Sequence, residues 1–500
     1  MSSNGGDSNF PTLKPPQSGV KTVLQYTGIP PSWLDKRPKL PSRNWLIFLS
    51  VTSSILGWYY YDHRECKKIR QEYVDKVKHL ADVPLHSLDY PRKVTVYGTK
   101  WPADEDSLRS VRYFKKYVKP IFVAAAIDYE IISGRRYGDL ANKIAEDIKT
   151  RRRIEAGLEQ APPGSMLLPN QTVEAKRRRE LEGGIVIIGR PTFKEFMSGL
   201  KRGWTEGLEK VDKEEQLSNE LSSDGTFDEP AEEDTSVDVD ALDGEPIPTK
   251  SKLPPSKAFS PFTAPQLRAP PPPSPANVIP THLNTPPASI PPMPPILLVQ
   301  FINHIGLGQI PHMIYEFFNE RHKVRSGAEA AYKLVMGETR PFIAPPPALP
   351  TLDPDFDVTT SPSQPHPSEL KMIPTDLEFG GEAESYYKQS LVNSFASDIQ
   401  KAREEYYKSL PGKLEVARSL ARGTREPTKE EQSYPPPTEV ELRAERIKKE
   451  LRWRNDEQGW DVIKPEKDVE WDERFRGVLR VFVEPPSERT AVNTEETKSA

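Results

Sequence analysis

The sequence predicts a single transmembrane helix near the amino terminus, then an α/β domain with a doubly wound sheet, long disordered proline-rich insertions and a helical carboxyl-terminal region. Three observations carry that prediction. Asn44 to Tyr61, NWLIFLSVTSSILGWYYY, holds no charge, while Arg43 precedes it and Asp62, His63 and Arg64 follow. Residues 91–204 alternate short apolar runs with helical periodicity, the order of a strand, helix, strand unit. With 53 prolines in 500 residues, long stretches lack the apolar surface that would offset chain ordering.

Composition excludes several classes. A net charge of −4 without a basic patch interleaved with aromatics argues against nucleic acid. Cys66 is the single cysteine, so no intramolecular disulfide and no multi-cysteine zinc site forms.

Residues 1–43 are rich in Pro, Ser and Gly and read as a disordered tail. The apolar run begins roughly forty residues in, with no small-residue cleavage site after it, so it reads as an uncleaved anchor. At about 1.5 Å per residue, residues 44–61 reach about 27 Å against a hydrocarbon core of about 30 Å. Trp45, Leu46, Ile47, Phe48, Leu49, Ile55, Leu56, Trp58, Tyr59 and Tyr60 are the expected membrane-anchor residues, with rings at both ends where headgroups lie. Ser50, Thr52, Ser53 and Ser54 dilute the run, and the competing reading is a buried core helix. Such a helix would usually show one polar face. Basic residues crowd both flanks, so charge leaves the orientation open.

Residues 62–90 read as a charged helical stalk. Ile69, Tyr73, Val77 and Leu80 form one narrow stripe that either packs on the following domain or a partner, or belongs to a solvated helix. In residues 91–204, Lys93 to Tyr97 is a strand, Ser107 to Tyr117 a helix that Pro120 ends or restarts, and Tyr129 to Ile132 strand-like. Gly138 to Ile148 is helical. Gly184 to Ile188, GIVII, is the continuous apolar run of a buried parallel strand, and Thr192 to Leu200 is the helix after it.

Ligands in open α/β sheets collect where a strand's carboxyl end meets the next helix. The loop there is Ile188-Gly189-Arg190-Pro191-Thr192. It resembles the phosphate loop of the diacylglycerol and acylglycerol kinase family, whose signature is GGDGT. Only Gly189 and Thr192 agree. Pro191 has no N–H for a phosphate, and Arg190 stands where the family's Mg²⁺-suited carboxylate would be. The loop therefore reads as a degenerate site, with no cofactor expected; Arg190 either holds an anion or is salt-bridged or solvated.

Residues 205–295 are acidic and then proline-rich, and read as a disordered insertion. The basic runs RRRIE and KRRRE, around Arg151 and Arg177, read as solvated charge, with contact to anionic lipid of a nearby membrane as the alternative. In residues 296–340, Ile296 to Ile302 is a buried strand, and Ile310 to Phe318 and Ala328 to Val335 are helices. His304 and His312 read as surface histidines, too far apart on any single turn for a metal pair. A proline-rich linker, 341–375, leads to residues 376–500. There, helices from Glu382 to Leu410 and Thr438 to Arg454, kept short by Gly412 and Gly423, precede a strand at Val478 to Val483 and a disordered tail. Trp453, Trp460 and Trp471 serve a partner or the α/β domain equally well. No nucleophile elbow, HExxH, P-loop or Rossmann fingerprint is present, and no catalytic or metal-binding residue is assigned.

PSRNWLIF, the apolar run, WYYYDHRECKKIRQEYVDKVKHLADVPL, YPRKVTVYGTKWPADEDSLRSVRYFKKYVKP and GGIVIIGRPTFKEFMSGLKRGW together resemble the fungal family of the fifty-four-kilodalton Tim subunit. That subunit belongs to the translocase inserting carrier proteins into the mitochondrial inner membrane. The likeness covers much of residues 41–204 and continues more weakly to about Glu338. It implies a non-enzymatic, single-span inner-membrane protein with its amino terminus in the matrix and its bulk in the intermembrane space. The partners it implies are a channel-forming subunit and other translocase subunits, small chaperone Tim proteins, hydrophobic carrier precursors and inner-membrane lipid. The alternative is a lipid-binding or lipid-kinase-like enzyme of the acylglycerol kinase type.

Overall fold

The apolar run is helical, but it does not end where the stalk was expected to begin. One helix, α1, runs unbroken through Arg43–Val77. The computed structural model describes residues 42–84, 91–160, 173–228, 279–346 and 375–485. The disorder expected for residues 1–41, 229–278, 347–374 and 486–500 therefore lies outside the described residues. The chain divides into two units, residues 1–64 and 65–500.

In the first unit, Trp45, Leu46, Ile47, Phe48, Leu49, Ile55, Leu56, Trp58, Tyr59 and Tyr60 are all exposed, so the run is not a core helix of this chain. Even so, among the described residues no helix is long and apolar enough to cross a membrane. The expected span falls short because Ser50, Thr52, Ser53, Ser54 and the ring-rich end Trp58 to Tyr61 hold its mean hydropathy down.

The second unit is built on six strands: β1 Lys93–Gly98, β2 Asp128–Ser133, β3 Ile185–Ile188, β4 Ile296–Val299, β5 Thr339–Pro341 and β6 Arg480–Phe482. They lie in the order β2-β1-β3-β4-β6-β5, parallel except for β5 against β6. Alternation explains the apolar run of β3. Val186 and Ile188 enter one core layer while Ile185 and Ile187 enter the layer on the other face. The first layer is closed by Phe114 and Phe122, by Ala328 and Leu334 of a helix at Arg321–Met336, and by Ile69 and Val77. The stalk stripe therefore packs on the domain and is not solvated. The second layer is closed by α2 (Asp139–Glu155), through Leu140 and Ile144, and by α3 (Gly189–Thr205), through Phe193, Phe196, Met197 and Leu200.

Several local readings change. The helix expected from Ser107 to Tyr117 is three pieces, Arg109–Tyr113, a π turn Phe114–Val118 and Lys119–Ala124. Pro120 cannot donate to the preceding turn, so the ladder widens before it. Part of the insertion expected to be disordered is ordered. Asp212 Oδ1 accepts from the Glu214 and Glu215 N–H groups at 2.9 and 3.2 Å, capping α4 (Lys213–Ser222), and Leu217 is buried. The RRRIE run is not wholly solvated either. Arg152 Nη1 donates to Gly203 O at 2.8 Å and Arg153 Nε to Leu208 O at 2.9 Å, which fastens the start of that insertion to α2. The KRRRE run lies in a helix, Val173–Gly183.

Beyond β4 come α5 (Ile310–Phe318) and α6 (Arg321–Met336), then α7 (Gln389–Arg422) and α8 (Glu439–Ile463). The last two outrun expectation. α7 continues through Pro411 and Gly412 because Tyr406, Leu410, Leu414 and Ala417 bury one face against Leu442. α8 starts at a capping box formed by Thr438 and Glu441 and passes through Gly459, where a Cβ would sit 2.0 Å from Tyr137 O. The three tryptophans pack within the chain. Trp460 lies 4.9 Å from Phe395, Trp471 stacks 5.5 Å from Phe342, and Trp453 meets Tyr406 at 5.8 Å between ring centroids.

Candidate functional site

From β1 the chain crosses to β2 on one side and later to β3 on the other, so the switch point lies between β1 and β3. A ligand of this fold class would enter there, at Gly98-Thr99 and Ile188-Gly189. Gly189 has φ +79° and opens α3 directly from the strand. A Cβ at that glycine would stand 3.3 Å from the Phe301 side chain, so the turn is closely covered. Thr192 Oγ1 donates to Ile188 O at 2.6 Å and accepts from Thr99 N at 3.2 Å. Ser110 Oγ donates to Thr99 O at 2.9 Å. The hydroxyl that a phosphate loop would turn toward its ligand is committed to the protein's own backbone.

Arg190 is salt-bridged and holds no open anion site. Its Nε donates to Glu384 Oε1 at 2.8 Å, and its Nη1 donates to Phe379 O at 3.0 Å and to Leu377 O. One helical turn on, the Lys194 ammonium is 1 % exposed, 2.7 Å from the same Glu384 oxygen and 2.8 Å from Lys464 O. Burial lowers the Lys194 pKa, and Glu384 opposes that shift. A strap, residues 375–387, thus lies across the crevice. Arg340 pins its start through Asp376, with contacts of 2.6 and 2.7 Å, and Gln309 Nε2 donates to Tyr386 O at 2.8 Å near its end. Phe379 meets Phe193 at 5.8 Å and Tyr387 meets Trp101 at 5.2 Å between ring centroids. Two buried cations share one carboxylate and several carbonyls, which makes a clamp.

The strap and Glu384 escaped the sequence reading. Lys194, four residues after Arg190 and so on the same helical face, was the available signal of an unmet need for a carboxylate. Nothing local marks its partner 190 positions on. The histidine reading also changes: His304 is buried and its ring centroid lies 5.3 Å from that of His312. His304 Nε2 is 3.2 Å from Glu316 Oε1, and its Nδ1 is 3.2 Å from Gln309 Oε1. Among the described residues, no group of three or more His, Cys, Asp and Glu is placed to hold a metal ion.

Close by, Glu195 is fully buried. Its Oε2 accepts from Leu140 N at 3.0 Å and Ala141 N at 3.4 Å, at the amino end of α2. Desolvation pushes its pKa up from 4.5 to about 8 against those hydrogen bonds. The folded state therefore binds a proton that the unfolded state has released, and stability falls as pH rises from 4.5 through about 8. Glu195→Gln keeps an acceptor and removes the charge. It should raise the thermal unfolding midpoint by a few degrees at pH 8.5 and scarcely at pH 4.5, as read by circular dichroism melts.

The family described as inner membrane protein import complex subunit Tim54 matches residues 21–422. A relative from Cryptococcus neoformans, named mitochondrial import inner membrane translocase subunit TIM54, is 38% identical over 94% of this chain and 95% of its own length. Relatives of the same name from Candida albicans and Yarrowia lipolytica are 28% identical over 66% of this chain and 87% of their own length, and 36% identical over 38% and 34%. The match spans the apolar run at residues 44–61, the sheet through β5 and the strap with its Glu384 clamp, and the chain belongs to the Tim54 family of inner membrane protein import complex subunits.

Proposed function

We propose that this chain is a non-enzymatic subunit of the translocase that inserts carrier proteins into the mitochondrial inner membrane, acting as an anchored scaffold. The observation that carries the reading is the clamp of Arg190 and Lys194 on Glu384, which fills the place where a kinase of this fold class would hold its nucleotide. Recognition and assembly are then the work of the surface, directed toward a channel-forming subunit, small chaperone Tim proteins and hydrophobic carrier precursors. The names of the relatives support the translocase and the inner membrane. The full chain should show no saturable ATP binding by calorimetry and no transfer of phosphate to diacylglycerol. Turnover of diacylglycerol by the wild-type chain overturns the reading in favour of the lipid-kinase alternative.

The anchor in this reading is residues 44–61, with the amino terminus in the matrix and the domain in the intermembrane space. Its hydroxyls soften the hydropathy shortfall. Ser50 Oγ donates to Ile47 O at 2.9 Å, Thr52 Oγ1 to Phe48 O at 2.8 Å and Ser54 Oγ to Ser50 O at 2.8 Å. Groups satisfied within their own helix cost less to bring into lipid. Deleting Asn44 to Tyr61 should move the protein from the carbonate-resistant pellet to the supernatant, and a deletion variant that stays in the pellet places the anchor elsewhere.

A further inference from the structure

Helix α5 is built inside out. Ile310, Met313, Ile314 and Phe317 recur at three and four residues and so share a stripe, and each is more than 40 % exposed. On the flank of that stripe, about 100° round the helix, Gln309 and Glu316 face the domain. Gln309 joins His304 and Tyr386, while Glu316 lies 3.2 Å from His304 and 2.8 Å from Lys323. A helix of a soluble domain normally does the reverse. In the turn before it, Leu307 is 87 % exposed. The stripe stands proud on a single helix, which suits a fluid apolar medium better than a partner's side chain seeking a groove.

Two further observations choose the occupant. Just beyond α5, Glu320 accepts from Tyr117 Oη at 2.9 Å and pairs with Lys116 at 2.5 Å. The charge of Arg70 on α1 bears on the same carboxylate. Arg70 follows Tyr61, the last residue of the proposed anchor, by nine residues. The domain that carries α5 is therefore covalently tethered to any bilayer that holds the anchor. The adjoining segment Arg109 to Lys119 carries five cations and no acid; Arg109, Arg112 and Lys116 pair with Asp104, Asp106 and Glu320, and Lys115 and Lys119 add positive charge that anionic headgroups complement. The single carboxylate of α5, Glu316, is turned inward onto His304 and Lys323.

We propose that α5 is a second, peripheral membrane contact, laying the stripe of Ile310, Met313 and Ile314 into the headgroup boundary of an anionic bilayer as an interfacial amphipathic helix does. The inference rests on the anchor reading, and its test separates the two. The full chain carries Cys66→Ala and one new cysteine, Leu49→Cys, Ile314→Cys or Val440→Cys. Each is labelled with an environment-sensitive fluorophore and reconstituted into phosphatidylcholine and phosphatidylglycerol vesicles containing nitroxide-bearing lipid. Val440 is 76 % exposed on α8 and serves as the aqueous control. Quenching at position 314 should exceed that at 440 several-fold, with a blue-shifted emission and little quenching by aqueous iodide. A label at 314 that iodide reaches and nitroxide lipid does not, with position 49 quenched, overturns this inference alone. If neither 49 nor 314 is quenched, the anchor falls and the inference with it. A label at 314 shielded from iodide yet untouched by nitroxide lipid assigns the stripe to a protein surface instead, which also overturns it.

Discussion

Glu384→Ala is expected to destabilise the folded domain by about 3–5 kcal/mol, the usual cost of stranding a buried charge without its partner. Here two cations are stranded: Arg190 and Lys194, 8 % and 1 % exposed, both within 2.8 Å of the same Glu384 oxygen. Their remaining hydrogen-bond partners are backbone carbonyls, and beyond these only the charge of Asp468 bears favourably on Lys194. A urea titration should show the midpoint falling with the slope unchanged, because the surface exposed on unfolding is the same. Arg190→Met with Lys194→Met and Glu384→Leu should recover most of the loss, since an apolar replacement of a buried ionic cluster is commonly neutral or stabilising. A single Glu384→Ala variant with wild-type stability would mean that the strap does not hold the crevice closed.

The second large effect is expected at Gly459. A Cβ there would lie 2.0 Å from Tyr137 O and 2.7 Å from Gly138 N, both backbone atoms. No rotamer change can relieve that overlap, so Gly459→Ala must push α8 off the turn before α2. The shift would also open the contact of Trp460 with Tyr137, whose rings are 5.7 Å apart. Overpacking of this kind costs about 1–3 kcal/mol and sometimes more, and at about 2–4 °C per kcal/mol it is readable in a thermal melt. Gly138→Ala should behave alike, because that residue has φ +78° and faces Gly459. The two substitutions together should cost less than their sum, since they strain one contact.

What could be seen in the chain beforehand was what local periodicity encodes. GIVII, KVTVY and the first four residues of ILLVQFI are strands, the last ending at Val299 rather than at Ile302, and Ile310 to Phe318 is a helix within the bounds expected. Order in residues 205–228 was hidden because that stretch is acidic and its partners are remote. Arg454 holds Glu220 at 2.8 Å, and Arg446 reaches Asp224. Likewise Pro411 reads as a helix terminator until the buried face of α7 is known to outweigh one lost hydrogen bond. The loop's departures at Ile188, Arg190 and Pro191 could be read from the chain, but the strap that lies across it could not, because Glu384 has meaning only beside Arg190 and Lys194. The apolar run at residues 44–61 shows the opposite failure. Its charge-free length and rings were plain, yet its serines and tyrosines leave it below the apolarity that a membrane-crossing helix is asked to show.

The placement of β6 bears on how such a molecule reaches its final form. Arg480–Phe482 is inserted between β4 and β5, pairing with Ile296 on one side and with Thr339, Arg340 and Pro341 on the other. An interior rung of the ladder is thus supplied more than 130 residues after the strand on either side of it. Until that late piece arrives, β4 has a raw flank and β5 has no neighbour. The slab can close only after nearly everything else has been delivered, so a polypeptide clipped before Arg480 is marked as unfinished by its own exposed edge.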